Sequence, residues 1–455
     1  MATSLNKIVL LVLGILVTAT SCRKFVELDT SNHFLESSKV YDSDATATSA
    51  ALGVYIQMRI NRLQLFDGVL STNLGLSADD LYNTTGSSKD DAFQFNSLDA
   101  QNASVATMWS QAYTAIYHIN SVLAGLNRST KISQPVREQL TGEMLFARSL
   151  FYFYLVNLFG DVPLVLDTNF EMDATMGRTP ASQVYAQITG DLEEAEGLLK
   201  PDYVSANRAR PNRYTASALL ARVYLYQEKW QKAEGKASDV IGSGIYKLES
   251  PDKTFGIPSG ETIFQIGSDK ANTGDGAIFI PINASAKPAY ALLEVLTSQF
   301  EPGDLRWKHW VGANVYGGQT YYYPYKYKSR VPTPISEWEI VLRVAEQYLV
   351  RAEARLELGI ADGAKDDLNQ IRKRAGLMLV SNTDVQFLRK LLENERRTEF
   401  FAEWGYRWLD LKRWKKATAV LQPLKGSSWK ETDVLYPIPQ SQIELNPQLT
   451  QNPGY

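Results

Sequence analysis

The chain has 455 residues, enough for two packed lobes. With 47 Lys and Arg against 50 Asp and Glu, its formal charge of −3 offers no electrostatic basis for a nucleic-acid partner. A single cysteine rules out an intrachain disulfide, a Cys-ligated zinc and a thiol redox pair, and three histidines (His33, His118, His309) leave little for multi-His metal sites. Aromatic residues are plentiful: 9 Trp, 24 Tyr and 17 Phe. Tyrosine combines a flat apolar face with a polar tip, which suits a wet recognition surface.

The N-terminus carries Lys7 followed by an apolar run from Ile8 to Val17, too short for a membrane span. Ala19-Thr20-Ser21-Cys22 then resembles a lipobox. Residues 1–21 therefore read as a lipoprotein signal peptide, with Cys22 the acylated first residue of the mature chain. Several acyl chains would give stable membrane attachment. The remainder divides into an N-terminal region, 22–225, and a C-terminal region, 260–455.

Helical periodicity dominates that body. Trp109, Ala112, Ile116, Ile119 and Leu123 form one apolar face, and Thr179-Pro180 opens a helix continued by Val184, Ile188, Leu192, Ala195 and Leu199. Ala216, Leu219, Leu220 and Val223, then Trp230, Ala233, Ala237, Val240 and Ile241, predict a helical hairpin of tetratricopeptide type. A second pair comprises the Val341–Leu356 stripe, closed by Gly359, and Ala364, Leu368 and Ile371, closed by Gly376. Residues 82–104 read as a long polar surface loop. Thr262–Ile266 and Ala277–Ile282 read as short strands, and the last 21 residues, with four prolines, as an extended tail.

Chemistry is sparse. HExxH, P-loop, GxSxG and GxGxxG patterns are all missing, and Gly256-Ile257-Pro258-Ser259-Gly260 has the wrong spacing for a nucleophile elbow. Glu346 and Glu353, like Glu395, Glu399 and Glu403, share helix faces as a glycosidase pair could. Arginines crowd both groups: Arg343, Arg351 and Arg355 in one, Arg396, Arg397 and Arg407 in the other. Ion pairing lowers a carboxylate pKa, the opposite of what a general acid needs, so these read as interhelix ion pairs and the protein as no enzyme, with no cofactor. Asp79-Asp80, and Asp90-Asp91 in the polar loop, read as solvated capping clusters rather than calcium sites, with Asp80 also open to hydrogen-bonding a polyhydroxylated ligand.

The strongest binding signal is aromatic. Nine of the 33 Trp and Tyr residues fall between Trp307 and Trp338. Rings of this kind stack on the faces of sugars. On a strand, Tyr321, Tyr323, Tyr325 and Tyr327 would share one side. The predicted ligand site joins Asp79, Asp80 and Asn83, at the root of the polar loop, to Trp307, Trp310, Tyr316, Tyr321 and Tyr323.

Six colinear segments carry a family resemblance: WSQAYTAIYHIN (109–120), ARSLFYFYLVNLFGDVP (147–163), VLRVAEQYLVRAE (341–353), LNQIRKRAG (368–376), ERRTEFFAEWGYRWLDLKRW (395–414) and the closing YPIPQSQIELNPQLTQNPGY (436–455). With the lipobox, they make the chain similar to the SusD/RagB family of outer-membrane nutrient-binding lipoproteins of Bacteroidetes. The resemblance implies a mostly α fold: tetratricopeptide-like hairpins in a SusD-like α-α superhelix, with an irregular face containing short β-strands. It further implies a lipid-anchored outer-membrane protein facing the cell exterior and capping a SusC-like TonB-dependent transporter. The cargo would be oligosaccharide or, alternatively, peptide. The chain is short for the family, which implies trimmed ligand loops.

Overall fold

The computed structural model describes residues 39–59, 65–169 and 175–455. Cys22 and His33, and with them the expected signal and lipidation site, lie outside the described residues. In chain order the first elements are α1 (Asp44–Gln57), α2 (Leu70–Ser77), β1 (Leu81–Asn83), α3 (Ser88–Gln94), α4 (Ala103–Arg128) and α5 (Gln134–Phe159). There follow α6 (Ala181–Leu198), α7 (Arg213–Tyr226), α8 (Trp230–Gly242), β2 (Thr262–Ile266), α9 (Gly274–Phe279), β3 (Tyr290–Leu292) and α10 (Glu294–Thr297). Then come α11 (Leu305–Trp310), β4 (Val311–Tyr316), β5 (Gln319–Pro324), β6 (Glu339–Arg343), α12 (Val344–Glu357) and α13 (Ala361–Arg374). Last are α14 (Val385–Phe400), α15 (Tyr406–Arg413), α16 (Ala417–Lys425) and α17 (Gln440–Leu445).

The long helices are made by their caps and apolar stripes. The Asn102 side chain accepts from the backbone N–H of Ser104 and Val105 at 3.0 and 3.1 Å, starting α4. Val105, Trp109, Ala112, Ile116, Ile119 and Leu126 are buried along one side of it. Asn212 and Thr215 form a reciprocal capping box at the start of α7. Helices pack in an unbroken series: α4 on α5, α5 on α6, α6 on α7, α7 on α8, α8 on α12, and α12 on α13. Three-residue turns join α7 to α8 and α12 to α13, giving the expected tetratricopeptide-like hairpins. One large core cluster runs through this stack, with members from Ala47 to Leu449. Among the described residues, no helix is long and apolar enough to cross a membrane.

Three two-stranded antiparallel sheets lie beside the stack: β1 with β3, β2 with β6, and β4 with β5. Several local expectations are corrected. Val341 lies in strand β6 rather than in the helix after it, and residues 277–279 belong to α9, started by Thr273 capping Gly276 N–H at 3.0 Å. The polar segment 82–104 is no continuous loop, since α3 interrupts it. The proline-rich tail contains α17, which fits between Pro439 at its N-cap and Pro447 beyond its end. Around that helix the tail is bound down: Tyr436 N–H donates to Leu158 O at 2.7 Å, and the Asn452 amide donates to Phe159 O and Tyr436 O.

Candidate functional site

The aromatic segment is a short helix running directly into a β-hairpin. Asp304 caps α11 by accepting from Arg306 N–H at 2.8 Å. Strands β4 and β5 are joined by Gly317-Gly318, both with positive φ, as a tight two-residue hairpin turn requires. The register pairs Gly312 with Tyr323, Asn314 with Tyr321 and Tyr316 with Gln319 on one face. Ala313 with Tyr322 and Val315 with Thr320 occupy the other. Strand alternation therefore splits the tyrosines between two faces.

On the first face Tyr323 is buried across Gly312, where any Cβ would meet its ring at 2.3 Å. Tyr321 is half-buried, with the Lys287 ammonium 5.3 Å from its ring centroid and its hydroxyl donating to Gln319 Oε1 at 3.0 Å. Lys287 also donates to Thr84 O at 2.9 Å, tying the end of β1 to the hairpin. Burial, and then the neighbouring Tyr321 phenol, raises the pKa of the Tyr82 hydroxyl. Tyr316, at the end of β4, is 52% exposed. The structure thus brings the root of the polar segment to the aromatic hairpin, through β3.

The second face is more open. Val315 is 61% and Tyr322 36% exposed. Trp307, half-buried, meets the Tyr322 ring at a centroid distance of 5.0 Å and an interplanar angle of 57°, with Phe300 behind it at 5.4 Å. Tyr322 was not among the expected site residues. Its signal in the sequence is the same tyrosine run, read on the opposite strand parity.

Other expected site residues are spent on structure. Trp310 is fully buried, so it cannot be an exposed platform. Its indole N–H donates to Pro251 O at 2.7 Å, and Lys326 and Arg374 lie 4.9 and 5.0 Å from its ring centre. Asp79 and Asp80 are buried behind arginines of the C-terminal region. Arg407 grips Asp79 through two bonds of 2.7 and 2.9 Å, and Arg397 reaches Asp79 at 2.8 Å and Asp80 at 3.4 Å. For Asp79, burial raises the carboxyl pKa but the two guanidiniums overcome it, leaving it below its usual value. For Asp80, burial dominates; Arg397 opposes it, the Asp79 charge reinforces it, and the carboxyl is pushed up to about 6. The Asn83 amide is used up within its own turn, donating to Ser87 O and Asp91 Oδ1 and accepting from Thr85. Tyr325 and Tyr327 fall beyond β5; Tyr327 is buried, its hydroxyl accepting from Ile340 N–H at 2.9 Å.

The helical carboxylates form ion pairs, as expected, but with distant partners. Arg222 binds Glu346 and Arg413 binds Glu353, whereas the local Arg351 pairs with Asp367. Glu395, Glu399 and Glu403 face Arg306, Arg343, Arg372, Arg374 and Lys326. Opposed by burial, three guanidiniums still hold Glu399 far below the usual carboxylate range. Asp90 and Asp91 lie in the first turn of α3, bonded to Tyr290 and Asn83. Among the described residues, no cluster of His, Cys, Asp and Glu is placed to hold a metal ion.

A stack of helical hairpins, with an aromatic β-hairpin beside it, defines a class of helical-repeat proteins. Residues 34–225 match a family model described as "Starch-binding associating with outer membrane", and residues 261–455 match one described as "SusD family". The chain belongs to the SusD/RagB family. A SusD-like protein of Formosa agariphila is 24% identical over 96% of this chain and 97% of its own length. A SusD superfamily protein from Bacteroides vulgatus has a similar fold, with a TM-score of 0.79 at 22% identity over 90% of this chain and 99% of that one. Surface glycan-binding protein A from Bacteroides thetaiotaomicron, solved in complex with laminarihexaose, gives a TM-score of 0.76 at 20% identity over 90% and 99%.

Proposed function

We propose that this protein captures oligosaccharide on the β4–β5 hairpin and passes it to a SusC-like TonB-dependent transporter, with no chemistry of its own. The observation that carries the reading is the Trp307–Tyr322 pair, two rings 5.0 Å apart on the open face of the hairpin. Such a pair supplies flat apolar area for a sugar ring, while the Tyr322 hydroxyl reads its polar edge and Tyr316 and Tyr321 lie on the hairpin's opposite face. Trp310, Asp79 and Asp80 take no direct part, and Tyr323 supports the hairpin from beneath. Membership of the family and the laminarihexaose complex of a relative favour a glycan over a peptide. Acylation at Cys22 tethers the body at the outer membrane, facing the exterior.

Titration with laminarin- and starch-derived oligosaccharides, followed by calorimetry, tests the cargo. Saturable binding that Trp307→Ala and Tyr322→Ala each weaken is the expected result. Binding of peptides alone, with no response to any sugar, overturns the glycan assignment. Co-purification from native membranes should yield a barrel partner, and Cys22→Ala should release the protein from the membrane fraction.

A further inference from the structure

The chain enters the aromatic hairpin through Arg306 and Trp307 and leaves it through Lys326. Both cations are buried, and both are bound to the same helix, α14, and its exit turn. Arg306 is held by Asp304 at 2.9 Å, by Glu395 at 2.8 Å and by Glu399 at 3.3 Å. Lys326 donates to the backbone oxygen of Glu399 at 2.7 Å and to the Glu403 carboxylate. Glu395 and Glu399, four apart, share one face of α14, and Glu403 follows in the exit turn, so the anchor is a ladder of three carboxylates running off the end of the helix. Arg343 binds Glu403 and Glu261, Arg372 binds Glu395, and both Arg343 and Arg374 bind Glu399. Five cations thereby meet five buried carboxylates, counting Asp304 and Glu261.

Helix α11 has only six residues and could not hold its own orientation in isolation. Trp307 emerges from it one residue after Arg306, and Trp310 points inward three residues later. Apolar contact alone would let so short a helix roll. A guanidinium fork fixes direction, because its donors must meet carboxylate oxygens in one plane.

We propose that Arg306 and Lys326, seated on the Glu395–Glu399–Glu403 ladder, are positioning residues that set the orientation of the Trp307–Tyr322 platform. The proposal rests on the binding role assigned to that platform, but its first test needs no ligand. Fluorotryptophan-labelled full-length protein is compared by fluorine NMR, with the Trp307 signal assigned through Trp307→Phe. Arg306→Lys keeps the charge and removes the fork. It should shift and broaden the Trp307 signal at a temperature where the protein is fully folded. Arg396→Lys is the control: it disrupts an equally buried pair on the same helix, with Asp410, on a rung that does not reach the hairpin. It should lower the melting temperature and leave the Trp307 signal unmoved. Should Arg306→Lys fail to fold, Lys326→Arg provides the same comparison from the other end of the hairpin. In calorimetry Arg306→Lys should weaken sugar binding at least tenfold, with Arg396→Lys matching the wild type. A Trp307 signal that stays in place in Arg306→Lys, or moves equally in Arg396→Lys, overturns the proposal. Wild-type protein that binds no sugar overturns the glycan reading alone, since the fluorine experiment still decides the positioning role.

Discussion

Helix α14 with its exit turn and the β4–β5 hairpin are each dense in one kind of chemistry, and folding treats them oppositely. Glu395, Glu399 and Glu403 all turn inward and disappear beneath arginines. The aromatic set divides: Tyr323 is buried beside exposed Tyr322 in β5, Trp310 and Tyr327 are buried on either side of the hairpin, and Tyr316 is exposed at its turn. The difference follows from geometry. A step of four keeps Glu395 and Glu399 on one helix face, that face meets the core, and the exit turn carries Glu403 in behind it. A strand alternates, and a two-stranded hairpin at the edge of a helical body can bury only one side. A dense run of one side-chain type thus becomes scaffold or surface according to the periodicity of the element that carries it.

The sharpest way to break this contrast is to remove a rung of the ladder. Glu399→Ala leaves Arg343 and Arg374 without their shared carboxylate and should cost ~3–5 kcal/mol in denaturant unfolding, since it leaves buried charge unpaired. Trp310→Ala should behave as a core truncation of similar size, ~3–5 kcal/mol, despite belonging to the aromatic segment. A Trp310→Ala protein of native stability would return that residue to the surface class.

The pH dependence sharpens the comparison further, because Glu399 and Asp275, both buried, shift in opposite directions. Glu399, surrounded by guanidiniums, has its pKa lowered, so it adds stability above the usual carboxylate range and loses it as pH falls. Asp275 is pushed up to about 7 by burial, despite a bond from Ser71 and with Asp67 and Glu403 adding to the rise. Its folded form holds a proton that the unfolded chain releases near pH 4. Stability tied to Asp275 is therefore full below about pH 4 and lost as pH rises to about 7. Urea midpoints across pH 4–8 should decline less steeply in Asp275→Asn than in the wild type.

Smaller effects belong to the hairpin's open face. Trp307→Ala and Tyr322→Ala should each weaken sugar binding by ~1–3 kcal/mol, by analogy with interface hot spots. Exposed Tyr322→Ala should change the unfolding free energy by under about 1 kcal/mol. Tyr321→Ala, on the opposite face beneath Lys287, should weaken binding less than Tyr322→Ala does. The reverse order in calorimetry would move the ligand to the Tyr82–Tyr321 side.

Sequence alone was sufficient for the features that depend on local periodicity and capping. The α7–α8 and α12–α13 hairpins follow from apolar steps of three and four, and arginines among the glutamates announced the ion pairs. The choice of partner was decided only in three dimensions: Glu346 takes Arg222, more than a hundred residues earlier, over its near neighbours Arg343 and Arg351. Ala277–Phe279 has strand composition yet forms a helical turn, because the Thr273 cap and the fold around it outweigh weak local propensity. Asp79 and Asp80 look like ligand contacts until α14 and α15 bring Arg397 and Arg407 over them. In the hairpin the tyrosine alternation was legible, but which side meets water was not. Strand parity fixes only which residues share a face; the body against which the hairpin packs selects the face that is covered.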